Sequence, residues 1–158
     1  MVASDPSRPN VLPWPPMLLA GAALASIGLG ALLPLPAPNA PWVSLLGGAL
    51  AVLALGLDLW AILTMRSAHT NILPHRAADR LVSWGPFRHS RNPIYLANTL
   101  LLIGIGLAFG NAWFILFALL SALAVDRLAI RREERHLAQR FGGDWTDYAA
   151  ATPRWLIR

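Results

Sequence analysis

Residues 81–95 read LVSWGPFRHSRNPIY and lead from a basic loop into an apolar helix. Asn92 followed by Pro93 is a helix-start signal, because asparagine is a favoured N-cap residue and proline fits the first helical position. The residues that follow, 94–109, carry no charge. The stretch therefore predicts an arginine- and histidine-containing loop at a membrane surface, beside the positive end of a helix dipole.

The composition of the whole chain also indicates a membrane protein. Of the 158 residues 56% are hydrophobic, which is rare in a soluble domain, and they come in long runs. The net charge is +5, and all thirteen basic residues are arginine. Because these arginines flank apolar runs, they favour a membrane surface as the partner and not nucleic acid. The absence of cysteine excludes disulfides and thiolate metal ligands.

The apolar runs predict an all-α integral membrane protein with four transmembrane helices and a cytoplasmic extension of the last helix. Residues 1–158 form one membrane domain, in which residues 66–92 are too long a loop for a simple connection. Residues 127–158 form a cytoplasmic helix, ended by two glycines, and an aromatic, basic tail on the bilayer surface. The four predicted spans are residues 16–33, 42–65, 93–109 and 112–126. Small residues in the first span favour close helix packing in lipid: Gly21, Ala25, Gly28 and Ala31.

The arginines predict the orientation of the chain. One arginine precedes the first span, five lie between residues 66 and 91, and seven lie from residue 127 onward. The two opposite loops contain none. The positive-inside rule therefore places both termini and the long loop in the cytoplasm. Arginine without lysine, in a chain rich in alanine, leucine and proline, indicates a bacterial protein and hence the inner membrane.

Two adjacent acids follow the last span in the helix predicted for residues 126–141. Glu133 and Glu134 flank a narrow apolar stripe of that helix, so both carboxylates would face the loop at residues 81–95. The alternative is a solvated helix on which Arg131 pairs with Glu134 and Glu133 pairs with His136.

Other polar and aromatic residues leave two interpretations open. Asp58 lies in the second span, where a carboxylate is either functional or reaches the interface or a loop arginine. Trp84, Phe87 and Tyr95 are either interfacial belt residues or walls for a planar ring. The four histidines lack zinc-like spacing, and we predict no metal site.

The order of these motifs resembles the isoprenylcysteine carboxyl methyltransferases and the related phospholipid N-methyltransferases, which are small integral-membrane enzymes that use S-adenosylmethionine. The resemblance covers residues 70–154, about half of the chain. Its elements are Leu81-Val82, Gly85-Pro86-Phe87, Arg91-Asn92-Pro93-Ile94-Tyr95, a two-span hairpin, Glu133-Glu134, Phe141-Gly142, and Trp145 with Tyr148.

The resemblance implies a cofactor pocket between residues 81–95 and the start of the cytoplasmic helix. It implies S-adenosylmethionine as cofactor and S-adenosylhomocysteine as product. By motif position, the implied cofactor contacts are Leu81, Val82, Phe87, Asn92, Pro93, Ile94, Tyr95 and Glu133. Candidates for a catalytic role are Arg91, Tyr95 and Glu134, the last as a supporting partner of Glu133.

This chain departs from the family pattern at two positions. Asn92 stands where the family often has histidine, and it can donate a hydrogen bond but cannot titrate. Ala129 stands where the eukaryotic carboxyl methyltransferases have a substrate-binding arginine, although Arg127 or Arg131 could substitute. The departure at Ala129 weakens the case for a prenylcysteine carboxylate as substrate. The acceptor that the resemblance implies is lipid-like or amphipathic: a prenylcysteine-type carboxylate, a phospholipid amine or a small apolar thiol.

The implied function is methyl transfer at the cytoplasmic membrane face, with membrane lipids around the protein and no nucleic-acid partner. One alternative is a nicotinamide-dependent membrane reductase of the sterol-reductase type, which has a similar C-terminal architecture. Another is a non-enzymatic membrane scaffold. The sequence leaves the oligomeric state open.

Overall fold

A computed structural model describes residues 14–38, 40–70 and 80–156. The polar lead-in before residue 14 and the part of the long loop that contains His75 lie outside the described residues. Of the residues described, 79% are helical and none forms a strand. The prediction of an all-α protein is confirmed.

Four apolar helices follow the predicted runs, with ends that differ by one or two residues: α1 (Trp14–Leu32), α2 (Pro41–Ser67), α3 (Pro93–Ala108) and α4 (Ala112–Val125). The helices α1 and α2, and the continuous helix Ala112–Phe141, are long and apolar enough to cross a membrane. The chain is therefore an integral membrane protein. Helix α3 has 16 residues, or about 24 Å of rise, against ~30 Å of hydrocarbon. That α3 crosses the membrane stays a prediction.

The closest helix packing joins α2 to α3, which run antiparallel. A β-carbon on Gly104 would lie 2.7 Å from the backbone nitrogen of Ala51, and one on Gly47 would overlap the backbone of Ala108. Glycine is needed here because the two backbones touch. In α1, by contrast, Gly21 and Gly28 have open space beside them. Gly21 and Gly28 therefore do not make the close contact that we expected, and the small residues that α1 buries are Ala22 and Ser26.

Helix α1 packs on the hairpin of α3 and α4. A core cluster of Ala22, Leu102, Phe114 and Ala118 joins the three helices. The turn of the hairpin has Gly110 at φ +61° and Asn111 as the N-cap of α4, where its side chain accepts a hydrogen bond of 3.1 Å from the Trp113 amide.

The outer faces of the bundle carry large apolar side chains. Leu24, Leu45 and Leu53 are 70–75% exposed. A contiguous apolar surface of this kind needs lipid around it, because a soluble monomer rarely exposes one. The surface thus agrees with the membrane assignment.

The extension beyond α4 begins with a π-helical turn, Asp126–Ile130, and continues as α5 (Arg131–Phe141). Gly142, at φ +54°, ends α5 as predicted. A further helix, α6 (Gly143–Ala151), then folds back onto the protein and buries Trp145 and Tyr148. These two aromatic side chains therefore face the protein and not the bilayer. That the tail lies on the bilayer surface stays a prediction.

Candidate functional site

The loop before α3 is packed against the end of α2. It contains a short 3-10 helix, Gly85–Arg88, that starts at Gly85 with φ +61°. A β-carbon on Gly85 would lie 2.9 Å from the Thr64 hydroxyl oxygen. This glycine therefore serves a close approach of the loop to α2.

Helix α3 begins at the predicted position, but its cap differs from the expected one. Pro93 is the first helical residue, and the Asn92 carbonyl accepts the hydrogen bond of the Leu96 amide at 3.0 Å. The Asn92 side chain makes no capping hydrogen bond; its Nδ2 donates instead to the Arg154 carbonyl at 3.1 Å. The Asn92 amide donates to the Ser90 hydroxyl at 3.1 Å. The asparagine thus ties the start of α3 to a distant part of the chain.

A hydrogen bond joins the two halves of the predicted site. The Tyr95 hydroxyl, in the first turn of α3, donates to Oε1 of Glu133 on α5 at 2.8 Å. Tyr95 also packs against the buried cluster of Val125, Ala129 and Ile130 at the π-helical turn. The expectation that the glutamate pair faces residues 81–95 is confirmed at this contact.

Glu134 lies between two arginines. Its carboxylate accepts a hydrogen bond from Nε of Arg154 at 3.1 Å and pairs with Nη1 of Arg91 at 3.4 Å. The side chains of Glu134 and Arg91 are only 13% and 15% exposed. Arg91 also lies over the ring of Trp145, with 5.7 Å between the guanidinium carbon and the ring centroid. Arg131, the expected partner of Glu134 on a solvated helix, pairs with Asp126 instead at 2.9 Å.

The remaining predicted contact residues lie along the same loop and helix start. Val82 is buried, as are Asn92 and Pro93, while Leu81, Phe87 and Ile94 are partly buried. The side chains of Leu81, Val82 and Ile94 are apolar and can form no hydrogen bonds.

The sequence interpretation missed residues that α6 and the segment after it bring to the site. Tyr148 donates a hydrogen bond of 2.7 Å to the Phe87 carbonyl, and burial raises its pKa above the ordinary tyrosine value. Arg154 and Asp126 complete the ionic cluster at 3.2 Å. Tyr148 belongs to the motif order given above. No sequence pattern predicts the role of Arg154, because a single arginine beside a proline does not indicate which residue it will contact.

A cleft opens between α1, α3 and α4 next to Tyr95. Its walls are mostly apolar, with three polar side chains among them. The cleft is lined by Pro15, Leu19, Tyr95, Asn98, Thr99, Leu102, Ser121, Ala122, Val125 and Trp155.

Asp58 lies away from this cleft, on α2. Its Oδ1 is buried without a hydrogen-bond partner among the described residues.

Comparison with known proteins gives a family match over this region. Residues 42–144 match the family model described as phospholipid methyltransferase. The match runs from α2 to the start of α6 and includes the Tyr95–Glu133 contact. The chain is also 32% identical over 83 residues to the nickel-cobalt-cadmium resistance protein NccN of Alcaligenes xylosoxydans xylosoxydans. That match covers 52% of this chain and 38% of the relative, so the chain spans well under half of the relative's length.

Proposed function

The chain belongs to the phospholipid methyltransferase family, and from this premise we propose that it transfers a methyl group from S-adenosylmethionine to a lipid-like or amphipathic acceptor at the cytoplasmic membrane face. The hydrogen bond from Tyr95 to Glu133 carries the proposal. It joins the motif at residues 91–95 to the glutamate pair, and these are the two halves on which the resemblance depends.

The residues at this end of the bundle fit the chemistry of S-adenosylmethionine. Glu133 offers carboxylate oxygens to ribose hydroxyls or to an ammonium group. Arg91 suits the carboxylate of the amino-acid end, and its Nε is buried with no hydrogen-bond partner among the described residues. The ring of Phe87 or Tyr95 suits adenine or the cation. When bound, the cofactor supplies a methyl group on positively charged sulfur and leaves as S-adenosylhomocysteine.

The apolar part of the loop has a separate task in this proposal. Methyl transfer needs alignment of the two reactants and exclusion of water more than it needs a dedicated base. Leu81, Val82 and Ile94 would form the dry walls of the pocket, while Asn92 and Pro93 fix the start of α3. This division fits a site in which the described residues form no catalytic triad.

The cleft beside Tyr95 supports an amphipathic acceptor. The walls from α1, α3 and α4 are apolar, as an acyl or prenyl chain is, and Asn98, Thr99 and Ser121 could bind a polar head. The cleft as it stands has room for about one water molecule, so a lipid-like acceptor requires that these helices move apart. Ala129, where the eukaryotic carboxyl methyltransferases have arginine, is fully buried and has no charge to offer a carboxylate. This favours an amine or thiol acceptor over a prenylcysteine carboxylate.

The arginine distribution supports four spans with both termini cytoplasmic. With α1, α2 and α4 crossing, a loop before α3 and a C-terminal segment that are both cytoplasmic require that α3 also crosses. Helix α3 is short for a span, but it is partly sheltered from lipid by protein, since Ala97, Leu102 and Gly104 are buried against neighbouring helices. The glutamate pair then lies just outside the membrane on the cytoplasmic side.

Calorimetric titration of the detergent-purified chain with S-adenosylhomocysteine tests the proposal. Saturable binding supports it and justifies a screen of phospholipid amines, prenylated carboxylates and apolar thiols with methyl-labelled cofactor. If folded protein binds no S-adenosylhomocysteine but binds a reduced nicotinamide cofactor, the chain is a reductase and the proposal is wrong. If it binds neither, a non-enzymatic role gains support.

A further inference from the structure

Residues 152–156, called the strap here, cross the loop immediately before α3. Three neighbouring loop groups donate hydrogen bonds to strap carbonyls. The Arg91 amide donates to the Pro153 carbonyl at 2.9 Å. The Ser90 hydroxyl and Asn92 Nδ2 both donate to the Arg154 carbonyl, at 3.2 and 3.1 Å. The strap is therefore fixed to the segment that starts α3.

The side chain of Arg154 extends the strap to the extension of α4. Its guanidinium donates to Glu134 through Nε at 3.1 Å and also through Nη2, and Nη1 donates to Asp126 at 3.2 Å. The hydrogen bond with Glu134 raises the pKa of Arg154, so the cation is held charged. One residue thus contacts the loop through its backbone, and through its side chain both Glu134 on α5 and Asp126 at the π-helical turn.

From this arrangement we infer that Arg154 is a positioning residue for the cofactor site, an inference that rests on the proposed function. Glu133 and Glu134 are adjacent on α5. A guanidinium that holds Glu134 in a two-point contact therefore fixes the rotation of α5 that presents Glu133 to Tyr95. The same residue fixes Asn92 at the start of α3. Arg154 sets the distance between the two halves of the site without touching the cofactor.

The degree of burial separates this contact from an ordinary surface ion pair. Exposed pairs contribute little, because water and salt screen them. Here the Glu134 side chain is 13% exposed and that of Arg154 33%. The carbonyl of Arg154 also accepts hydrogen bonds from the side chains of Asn92, a predicted cofactor contact, and Ser90, two residues before it. Removal of the guanidinium would leave a shielded carboxylate with Arg91 alone, and Arg91 would be drawn from its place over Trp145.

The test measures S-adenosylhomocysteine binding by calorimetry in wild type, Arg154→Ala, Arg154→Lys and a matched surface control, Arg135→Ala. Arg135 is exposed on α5 and bonds only to the carbonyl one turn earlier among its described contacts. We expect Arg154→Ala to raise the dissociation constant about tenfold, which is within the usual range for coupling between neighbouring sites. Lysine keeps the charge and loses the two-point contact, so it should give an intermediate value. The control should bind as wild type does.

Two further readouts separate positioning from general stability. Millimolar guanidinium should restore part of the affinity of Arg154→Ala and leave that of wild type unchanged. In a double-mutant cycle, Glu134→Gln should reduce the effect of Arg154→Ala, because the two side chains act as one unit. If Arg154→Ala does not fold, Arg154→Lys decides by the same measurement.

If wild type binds S-adenosylhomocysteine and folded Arg154→Ala or Arg154→Lys binds it equally well, the inference is wrong and the proposed function stands. Absence of binding by folded wild type overturns the proposed function, and the inference with it.

Discussion

The strongest prediction concerns the carboxylate of Glu133, which we propose as a direct cofactor contact. Glu133→Ala removes the acceptor of the 2.8 Å hydrogen bond from Tyr95 and the acceptor offered to the cofactor. A hydrogen bond to a charged group contributes about 1.5–3 kcal/mol, and each ~1.4 kcal/mol is a factor of ten in the dissociation constant. We therefore expect the affinity for S-adenosylhomocysteine to fall roughly 10- to 150-fold in this variant.

Two companion variants divide this effect into its parts. Glu133→Gln keeps an acceptor oxygen for Tyr95 and removes the charge, so its loss in affinity should be intermediate. Tyr95→Phe keeps the ring and removes the hydroxyl that orients Glu133, so its affinity should fall by a few fold. Asp147→Ala, an exposed acid on α6, is the matched control and should bind as wild type does.

The assay is calorimetric titration in detergent, with circular dichroism to verify the helix content of each variant. Site-specific loss should appear in Glu133→Ala and be absent in Asp147→Ala. Equal affinities of folded Glu133→Ala and wild type would refute the assignment of Glu133 to the cofactor. Equal losses in both variants would show that the effect follows net charge and not the Tyr95–Glu133 contact.

Four further variants test the loop, α6 and the orientation. Gly85→Ala puts a side chain at φ +61° and should lower the free energy of unfolding by about 1–2 kcal/mol, and so the melting temperature by about 2–8 °C. An unchanged melting temperature would show that the loop adjusts to the side chain without strain. Tyr148→Phe removes the hydrogen bond to the Phe87 carbonyl and should lower the free energy of unfolding by about 1 kcal/mol. Burial raises the pKa of Tyr148 in the folded state, so its contribution is present below about pH 10 and is lost as pH rises further. Wild type should then lose more stability above pH 10 than the variant does, and parallel pH profiles would contradict this. The chain has no cysteine, so single cysteines can report the orientation. A membrane-impermeant thiol reagent should label Ala37→Cys, in the loop between α1 and α2, in intact cells, and should label Asp147→Cys only after lysis. The opposite labelling pattern would show the reverse orientation.

Apolar runs were sufficient to predict the four helices, because an uncharged stretch in lipid must satisfy its backbone hydrogen bonds internally. The start of α3 was predictable for a similar local reason, since Pro93 has no amide hydrogen to place. The partner of the Asn92 side chain was not. Sequence patterns favour a local cap, but the side chain found a carbonyl 62 positions away. A tertiary contact of this kind has no local signature.

The strap escaped prediction for a related reason. Its carbonyls at residues 153 and 154 accept hydrogen bonds from the loop, and a backbone carbonyl has the same acceptor strength whatever side chain it carries. The aromatic residues of α6 were noticed but were assigned to the bilayer surface. Trp145 and Tyr148 suit a membrane interface and a protein interior equally well, and only the turn at Gly142 decides between them.

Glu133 and Glu134 are adjacent and chemically identical, so only their surroundings give them different tasks. Glu134 is shielded from solvent and held by Arg91 and Arg154, which balance its charge inside the protein. Glu133 accepts a hydrogen bond from Tyr95, a neutral donor. A carboxylate has about four acceptor positions, so the hydroxyl of Tyr95 does not by itself occupy all of those of Glu133. Glu134→Gln should therefore act on the placement of α5, whereas Glu133→Gln should act on the cofactor directly. The same substitution at neighbouring positions thus distinguishes the two roles.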